Sequence, residues 1–389
     1  MTEADVEGTT RLVLASAFAI AVAFGVVAQR ARFCTMGAIA DLAVTGDSTR
    51  IRMWAVAVGT AIIGFNVLVW LGWVQAANSI YAGPRVLWLS ALVGGVMFGV
   101  GMVLASGCTS KNLLRAGSGS LKAMVVLLVV AVAGFASLKG ITAVLRVNTV
   151  DAVFVALDGA QDLPSIMSRA TGMKPDLLAV VLGLAIGGAV VLAALYSKRL
   201  RDSDLVLGGA AIGGLVVAAW WVSGVLGHVT EHPVTLESVF LATNSRRMES
   251  LSYVSAVSYT VDYLLFFSDV SNVLTIGIVS AVGMAVGSGI YAASTNTFRW
   301  EGFASVSDLR NHLAGGVLMG VGGVTALGCT IGQGLSGVST LSLTSFIALA
   351  SMVGGAYATV KLQLWQLERE SEIPTIAQGL SQGRSNTGR

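Results

Sequence analysis

One stretch of this chain occurs twice and decides its fold. Residues 94–109 read GGVMFGVGMVLASGCT and residues 315–330 read GGVLMGVGGVTALGCT, so that eleven of the sixteen paired positions are identical. After each Gly-Cys-Thr the chain turns polar and then begins a new apolar segment at Leu121 or Leu341. The pattern indicates an internal duplication, in which each copy is a glycine-faced helix that ends at a cysteine, followed by a short turn and a return.

The composition places these helices in a lipid bilayer. Hydrophobic residues make up 54% of the 389 positions and charged residues only 12%, whereas a soluble domain has about 25% charged residues. A bilayer requires about 20 apolar residues per helix, and its lipid forces exposed backbone into helices. We therefore expect an all-α polytopic membrane protein in contact with the lipid bilayer. The net charge of +3, with basic residues at segment ends, gives no indication of nucleic acid binding.

Long apolar runs predict about nine transmembrane helices, with short re-entrant half-helices between them. The spans are expected at 11–28, 53–74, 86–105, 122–145, 177–196, 205–226, 273–293, 313–327 and 341–360. Residues 253–267 contain Asp262, serines and tyrosines and favour an interfacial or partly buried helix. Residues 147–176, with two prolines and several charges, predict an ordered loop outside the membrane.

A second, weaker repeat flanks the first. Arg32-Phe33-Cys34 followed by Asp41-Leu42 matches Arg299-Trp300-Glu301 followed by Asp308-Leu309 at the same spacing. Both stretches are too short and polar to span, which predicts half-helices that dip into the membrane and mark a transporter site near its midplane. An extra span in the first half leaves open whether the repeats are parallel or inverted.

We interpret residues 1–367 as a single membrane transport domain. Its repeat halves are expected at roughly 11–145 and 273–361, with 146–272 inserted between them. The polar stretch 368–389 predicts a disordered carboxyl-terminal tail.

Basic residues favour the cytoplasmic side of a membrane. The cluster at 198–201 places the end of the fifth span in the cytoplasm, which predicts a periplasmic N-terminus and a cytoplasmic C-terminus in the bacterial inner membrane. Arg246 and Arg247, in a loop expected outside, oppose this orientation.

The chemistry rests on three cysteines, which are too few and too apolar in context to form a disulfide framework. A glycine before two of them lets a ligand approach the main chain, and a threonine after them is expected to cap the next helix, whose free amides favour an anion. A thiol is polarisable and a weak donor, which suits a soft sulfur atom better than a hard oxyanion. The predicted substrate-binding residues are Cys34, Cys108, Cys329, Gly107, Thr109, Gly328, Thr330 and Gln333.

These motifs resemble those of a known family. The stretches 107–113 (GCTSKNL), 328–335 (GCTIGQGL) and 32–37 (RFCTMG) are similar to signatures of the YeeE/YedE family of bacterial inner-membrane transporters, over nearly the whole chain. The resemblance implies thiosulfate uptake, with the substrate relayed between Cys34, Cys108 and Cys329 by S–H to sulfur hydrogen bonds. It also implies a small cytoplasmic sulfur-carrier partner of the TusA type. Longer loops at 147–176 and 228–250 leave other sulfur or selenium compounds open as substrates.

Other functions are considered beside this one. A membrane sulfurtransferase that forms a cysteine persulfide lacks support from a Cys-x-x-Cys pair or a histidine near a cysteine in sequence, and a soft-metal permease lacks clustered methionines. We predict no metal site, because Pro233 interrupts the run of His228, Glu231 and His232. We also predict no cofactor and no enzymatic activity. Direct ATP coupling is not expected without a nucleotide-binding motif, and channel, proton symport and sodium symport stay open.

Overall fold

Helices dominate the structure because lipid leaves apolar backbone no other hydrogen-bond partner. The computed structural model describes residues 3–196, 203–231, 233, 236–269 and 272–385. The basic cluster at 198–201 lies outside the described residues. The helices, α1 to α14 in chain order, are Glu3–Arg30, Thr35–Thr45, Thr49–Trp70, Trp88–Leu104, Thr109–Gly117, Leu121–Lys139, Ile141–Asn148, Leu163–Thr171, Pro175–Leu195, Ser203–Trp221, Val254–Leu265, Ile276–Ser294, Val306–Thr325 and Leu343–Ser385. The strands β1 to β4 are Arg85–Val86, Val155–Ala156, His228–Val229 and Val239–Phe240, and π-helical turns lie at Val222–Leu226 and Gly332–Gly337.

The structure confirms an all-α polytopic membrane fold. Among the described residues, eight helical segments are long and apolar enough to cross a bilayer. The predicted span at 313–327 corresponds to α13, a 20-residue helix that contacts α4 and α6. Because neighbouring helices rather than lipid surround its glycine-rich half, α13 does not need the apolar composition of the other spans.

The spanning helices connect two faces of the molecule, which we name by their segments. The loop face comprises residues 71–87, 140–174 and 227–253, and the arginine face comprises residues 31–48, 118–120 and 295–305. Backbone hydrogen bonds hold each face together, from Ile80 N–H to Met248 O (3.1 Å) on the loop face and from Arg299 N–H to Ser118 O (3.1 Å) on the arginine face.

The two copies of the glycine motif cross each other in opposite directions. A β-carbon on Gly94 would lie 2.7 Å from the Gly322 carbonyl oxygen, and one on Gly322 would lie 2.7 Å from the Gly94 oxygen. Gly101 and Gly315 repeat this reciprocal contact at 2.7 and 2.6 Å. The later residue of α4 thus opposes the earlier residue of α13. The helices are antiparallel with their backbones in contact, and the duplication is inverted.

The remaining helix contacts extend the inversion to both halves of the molecule. Helix α1 packs on α12 as α10 packs on α3, and α6 packs on α13 as α14 packs on α4. Helices α1 to α6 therefore correspond to α10 to α14, with the π-helical turn Gly332–Gly337 in the place of α5. The second half begins at α10, so the predicted insertion 146–272 was too long, and only α7 to α9 lie between the halves. This boundary cannot be recognised from the sequence, because α10 and α1 are both apolar but have no matching sequence motif.

The half-helix that the weaker repeat predicts around Arg299 is not present in the described residues. Residues 299–301 form no half-helix, and Asp308 lies in the first turn of α13, where its N–H binds the capping Ser305 Oγ at 3.1 Å. Gln29 at the end of α1 and Arg299 line one cavity, whereas an inverted repeat would put counterparts on opposite faces. The stretch after Cys34 does form a short helix, α2, which ends at left-handed Gly46.

The loop face contains the ordered loop that the sequence predicts at 147–176. Strand β2 pairs antiparallel with β1, and Asp162 caps α8 by accepting the Ser165 N–H at 3.0 Å. The predicted partly buried helix at 253–267 is α11, which begins at Val254 (1% exposed) and ends at Leu265 (73% exposed).

The disorder predicted for the carboxyl-terminal tail at 368–389 stays a prediction. Helix α14 continues to Ser385, and residues 386–389 lie outside the described residues. The stretch 366–372, QLERESE, is rich in strong helix formers, which favours continuation of α14 beyond the apolar segment.

The backbone contact between α4 and α13 predicts opposite effects of one substitution at two sites. Gly101→Ala places a methyl group against the Gly315 carbonyl, and overpacking of this kind costs about 1 to 3 kcal/mol. Gly354→Ala in α14 meets nothing within 4 Å and gains helix propensity. We expect a lower Tm for the first variant and an unchanged or higher Tm for the second, measured on detergent-solubilised protein. Equal stability of Gly101→Ala and the unsubstituted protein would contradict the crossing.

Candidate functional site

The three cysteines lie in the same kind of backbone turn. Each follows a helix whose end has a left-handed residue two positions before the cysteine, namely Arg32 (φ 51°), Ser106 (φ 53°) and Leu327 (φ 59°). The residue directly before each cysteine donates its N–H to the carbonyl five residues back, over 2.8 or 2.9 Å. This bond is typical of a Schellman motif. It reverses the chain so that the cysteine begins the next helical segment.

Cys34 and Cys329 cap the segments that they begin. Sγ of Cys34 accepts the Gly37 N–H at 3.3 Å, and Sγ of Cys329 accepts the Gly332 N–H at 3.4 Å. Neither glycine belongs to the predicted site, although the spacing Cys-x-x-Gly is a signal that the sequence contains. Cys108 has a lysine at the corresponding position, and its Sγ lies 3.2 Å from Ser110 Oγ instead.

The threonines do not cap helices as the sequence analysis expects. Cys108 occupies the cap position, and Thr109 is the first residue of α5. Thr330 likewise follows the capping Cys329. Both threonine Oγ1 atoms are buried and have no hydrogen-bond partner among the described residues. The Schellman turn makes the cysteine, rather than the threonine that follows it, the capping residue of the next helix. Each threonine hydroxyl therefore stays available for another partner.

Asn112 and Gln333 repeat one arrangement four positions after their cysteines. Nδ2 of Asn112 donates to the Gly107 carbonyl at 2.9 Å, and Nε2 of Gln333 donates to the Ala326 carbonyl at 2.6 Å. The side-chain oxygen of each amide is buried without a partner in the part of the chain that the structure describes. The predicted site includes Gln333 but omits Asn112, although the spacing from the cysteine is the same.

Two aromatic residues from distant segments complete the surroundings of Cys329. The Tyr253 N–H donates to Cys329 Sγ at 3.4 Å. The ring of Trp54 lies so close to Gly334 that a β-carbon there would be 2.8 Å from Cζ2. The Tyr253 hydroxyl and the Trp54 indole nitrogen are buried and unpaired within the described ranges. Each such group costs about 1 to 3 kcal/mol, so their concentration here indicates a place for a polar ligand or water.

Cys108 is the neighbour that the other two cysteines share. A charge on Cys34 interacts with Cys108, and so does a charge on Cys329. Cys108 and Cys329 are buried, whereas Cys34 is partly exposed on the arginine face. The thiols therefore form a series from Cys34 through Cys108 to Cys329, which leads from the arginine face into the interior.

Positive charge surrounds the Cys34 end of this series. Arg50 and Lys111 both interact electrostatically with Cys34, and a β-carbon on Gly37 would lie 2.7 Å from Arg50 Nη1. Asp41 offsets part of this charge through an ion pair with Arg50 at 3.3 Å. The arginine-face end of the series is thus suited to an anion.

A cavity of about 240 Å³ lies at the opposite, Cys329 end and opens toward the loop face. Its wall includes Leu327 and Gly328 of the cysteine turn together with Ser252, Tyr259 and Glu249. Burial raises the pKa of the Glu249 carboxyl to about 7, against a smaller opposing effect of the Asn244 N–H, which donates to it at 3.2 Å. This acid therefore changes charge near neutral pH.

Of the two histidines considered as metal ligands, the structure describes only His228. The ring of His228 stacks on Phe240, with 4.8 Å between centroids, and its Nε2 lies 3.0 Å from Ser238 Oγ. His232 lies outside the described residues. Within those residues, no group of three or more His, Cys, Asp or Glu side chains is arranged to hold a metal ion.

Comparison with known proteins identifies the family to which the chain belongs. The chain matches the family model described as sulphur transport over residues 30–358. It is similar to the thiosulfate transporter TsuA of Escherichia coli K12, with 26% identity over 91% of this chain and 95% of that protein. It is also similar to the thiosulfate transporter TsuA of Spirochaeta thermophila, with 23% identity over 84% of this chain and 91% of that protein. A shorter similarity, 31% identity over 27% of this chain and 25% of the relative, links it to the probable transporter YedE of Escherichia coli K12. The chain belongs to the sulphur transport family of membrane proteins, to which YeeE and YedE belong.

Proposed function

We propose that this protein is a transporter, not an enzyme, and that it imports thiosulfate or a closely related sulfur anion. The observation that carries the proposal is the series of three thiols in the same kind of turn, with buried hydroxyl and indole groups near Cys108 and Cys329 that lack partners among the described residues. The two relatives named thiosulfate transporter, which this chain matches over most of its length, support the same substrate class.

The mechanism follows from the properties of neutral thiols. A terminal sulfur atom of the anion accepts the S–H of a cysteine, and the unpaired hydroxyls of Thr109, Thr330 and Tyr253 would donate to its oxygens. Each thiol bond is weak, so the anion passes from Cys329 to Cys108 and then to Cys34 without being trapped. A hard oxyanion without a terminal sulfur gains less from the thiols, which favours thiosulfate over sulfate.

The protein lies in the bacterial inner membrane in this proposal, with its N-terminus in the periplasm and its C-terminus in the cytoplasm. Arg30, Arg50, Arg52 and Lys122 then lie on the cytoplasmic side, as basic residues prefer. The loop face and the cavity at Glu249 receive the anion, and the arginine face releases it. A TusA-like sulfur carrier would bind at the arginine face, where the intact anion is released.

Loss of either interior thiol is expected to stop transport. Cys108→Ala and Cys329→Ala each remove an S–H donor from a series that has no parallel route, so uptake of radiolabelled thiosulfate into proteoliposomes should fall by about tenfold or more, equivalent to ~1.4 kcal/mol. Ser351→Ala is the matched control, because its hydroxyl is buried in α14 and bonds only the Ile347 carbonyl, at 2.7 Å.

Two results would contradict the thiol relay. One is undiminished uptake by both cysteine variants when the protein is folded, as judged by gel filtration. The other is a covalent persulfide on Cys108 without transport, detected by mass spectrometry, which would favour a sulfurtransferase.

Uptake is expected to depend on the charge of Glu249. The folded pKa is raised from 4.5 to about 7, so this carboxyl is neutral at pH 6 and anionic at pH 8. An anionic wall repels the substrate, and uptake should therefore decline as the pH on the loop-face side rises through 7. Glu249→Gln should remove most of this decline. A pH profile of initial uptake rates that is the same in both proteins would contradict the role of Glu249.

The same raised pKa has a consequence for stability that does not depend on transport. A carboxyl whose folded pKa lies above its unfolded value stabilises the folded state most below pH 4.5, and this contribution is lost as pH rises through about 7. The Tm of the unsubstituted protein should thus decrease between pH 5 and pH 8 by a few degrees more than that of Glu249→Gln. Parallel Tm curves would show that Glu249 is not buried in solution.

A further inference from the structure

A second polar cavity, of about 430 Å³, lies on the arginine face and is separate from the loop-face cavity. Gln29 of α1, Arg115 of α5, Ser120, Arg299 and Glu301 contribute to its wall. None of these residues belongs to the predicted substrate-binding set. Three different parts of the chain therefore meet at one polar chamber where the helices α1, α5 and α12 end.

The charges of this cavity favour an anion. Glu301 binds Lys122 Nζ at 2.8 Å and Arg115 Nη2 at 3.1 Å. The hydrogen bond from Lys122, followed by the interaction with Arg115, lowers the pKa of Glu301 to about 2, so it stays ionised. Arg299 adds a third cation and makes no ion pair with any described residue. Lys122 and Arg115 thus bind one carboxylate, and Arg299 adds a further positive charge to the cavity wall.

Two buried polar atoms in the wall lack partners. Ser120 is 4% exposed, and its Oγ makes no hydrogen bond to a described residue. Gln29 Oε1 is likewise buried and unpaired over the described ranges. A buried hydroxyl without a partner is costly, and the Ser120 hydroxyl can donate to an oxyanion in a cavity whose wall also contains Arg115 and Arg299. The combination of unpaired donor, excess cations and cavity is that of a built anion site.

The site is connected to the cysteine series through α5. Arg115 lies seven residues after Cys108, which is two helical turns or about 10 Å. Its Nη1 reaches back to the Ser106 carbonyl in the Cys108 turn, at 3.5 Å. An anion that draws Arg115 away from Glu301 would therefore act on the residue that precedes Gly107.

We infer that this cavity binds a small divalent sulfur oxyanion through Arg115, Arg299 and Ser120, at the end of the path where the substrate leaves. The inference rests on the proposed function for the direction of transport but not for binding itself. Two anions of this chemical class could occupy the cavity. One is the transported anion as it leaves the protein, and the other is free sulfate from the aqueous phase on the arginine face.

Binding is tested on the full-length protein in nanodiscs by isothermal titration calorimetry with sodium sulfate, and then with sodium thiosulfate, at constant ionic strength. Arg299→Gln and Ser120→Ala should each weaken sulfate binding by about tenfold or more. Arg310→Gln is the matched control, since Arg310 is an exposed arginine of α13 that does not line the cavity. Undetectable sulfate binding by the unsubstituted protein, or equal affinity in all four proteins, overturns the inference.

The source of the anion is distinguished in proteoliposomes with sulfate only on the arginine-face side. If Arg299→Gln slows thiosulfate uptake without sulfate present, the site lies on the exit path. If it changes uptake only by removing an inhibition by sulfate, the site is regulatory. Both results support the inference, and unaltered uptake with and without sulfate contradicts it. Failure of the thiol relay would appear separately, as full uptake by Cys108→Ala.

Discussion

The antiparallel contact between α4 and α13 is the constraint on which the rest of the structure depends. Gly94 faces Gly322 and Gly101 faces Gly315 with their carbonyls closer than any β-carbon permits. Without a hydrophobic force between helices in lipid, such close backbone contact supplies the packing energy. It also fixes the geometry of the site, because two inverted helices that cross through glycines carry their terminal cysteines toward opposite faces while keeping both near the centre.

Each cysteine turn contains a strained backbone residue, and this residue positions the thiol. Leu327 and Ser106 adopt left-handed conformations that cost about 1 to 2 kcal/mol in residues other than glycine. The Schellman bond that follows offsets this cost and stops the helix at one residue. The next residue but one is the cysteine in each case, so helix termination and thiol placement are a single structural event. Cys34 obtains the same placement from Arg32, although the residues that precede it differ from those that precede the other two cysteines.

The sequence predicts those features that depend on neighbours along the chain, and misses those that depend on distant ones. Spans, the duplicated motif and the three cysteines follow from local hydropathy and identity. Inversion does not, because an apolar helix has the same composition in either direction. Tyr253 is 76 residues from Cys329, and its role has no local signature. The predicted repeat at Arg299 was wrong although its residues match those after Arg32. The matching residues near Asp308 form the capped start of α13 rather than a half-helix.

The inverted halves are equal in architecture but unequal in charge, so the two ends of the thiol series differ in their electrostatic environment. At the first-half end, Cys34 lies within electrostatic reach of Arg50 and Lys111. At the second-half end, the place of a third thiol is taken by the Tyr253 amide, and the nearby cavity carries the acid Glu249. In the proposed direction of transport, the path of the anion would run from a mouth that carries one acid, past two buried thiols, to a positive mouth. These fixed charges lower the energy of a bound anion toward the arginine face, whereas the direction of net movement is set by the electrochemical gradient of the anion.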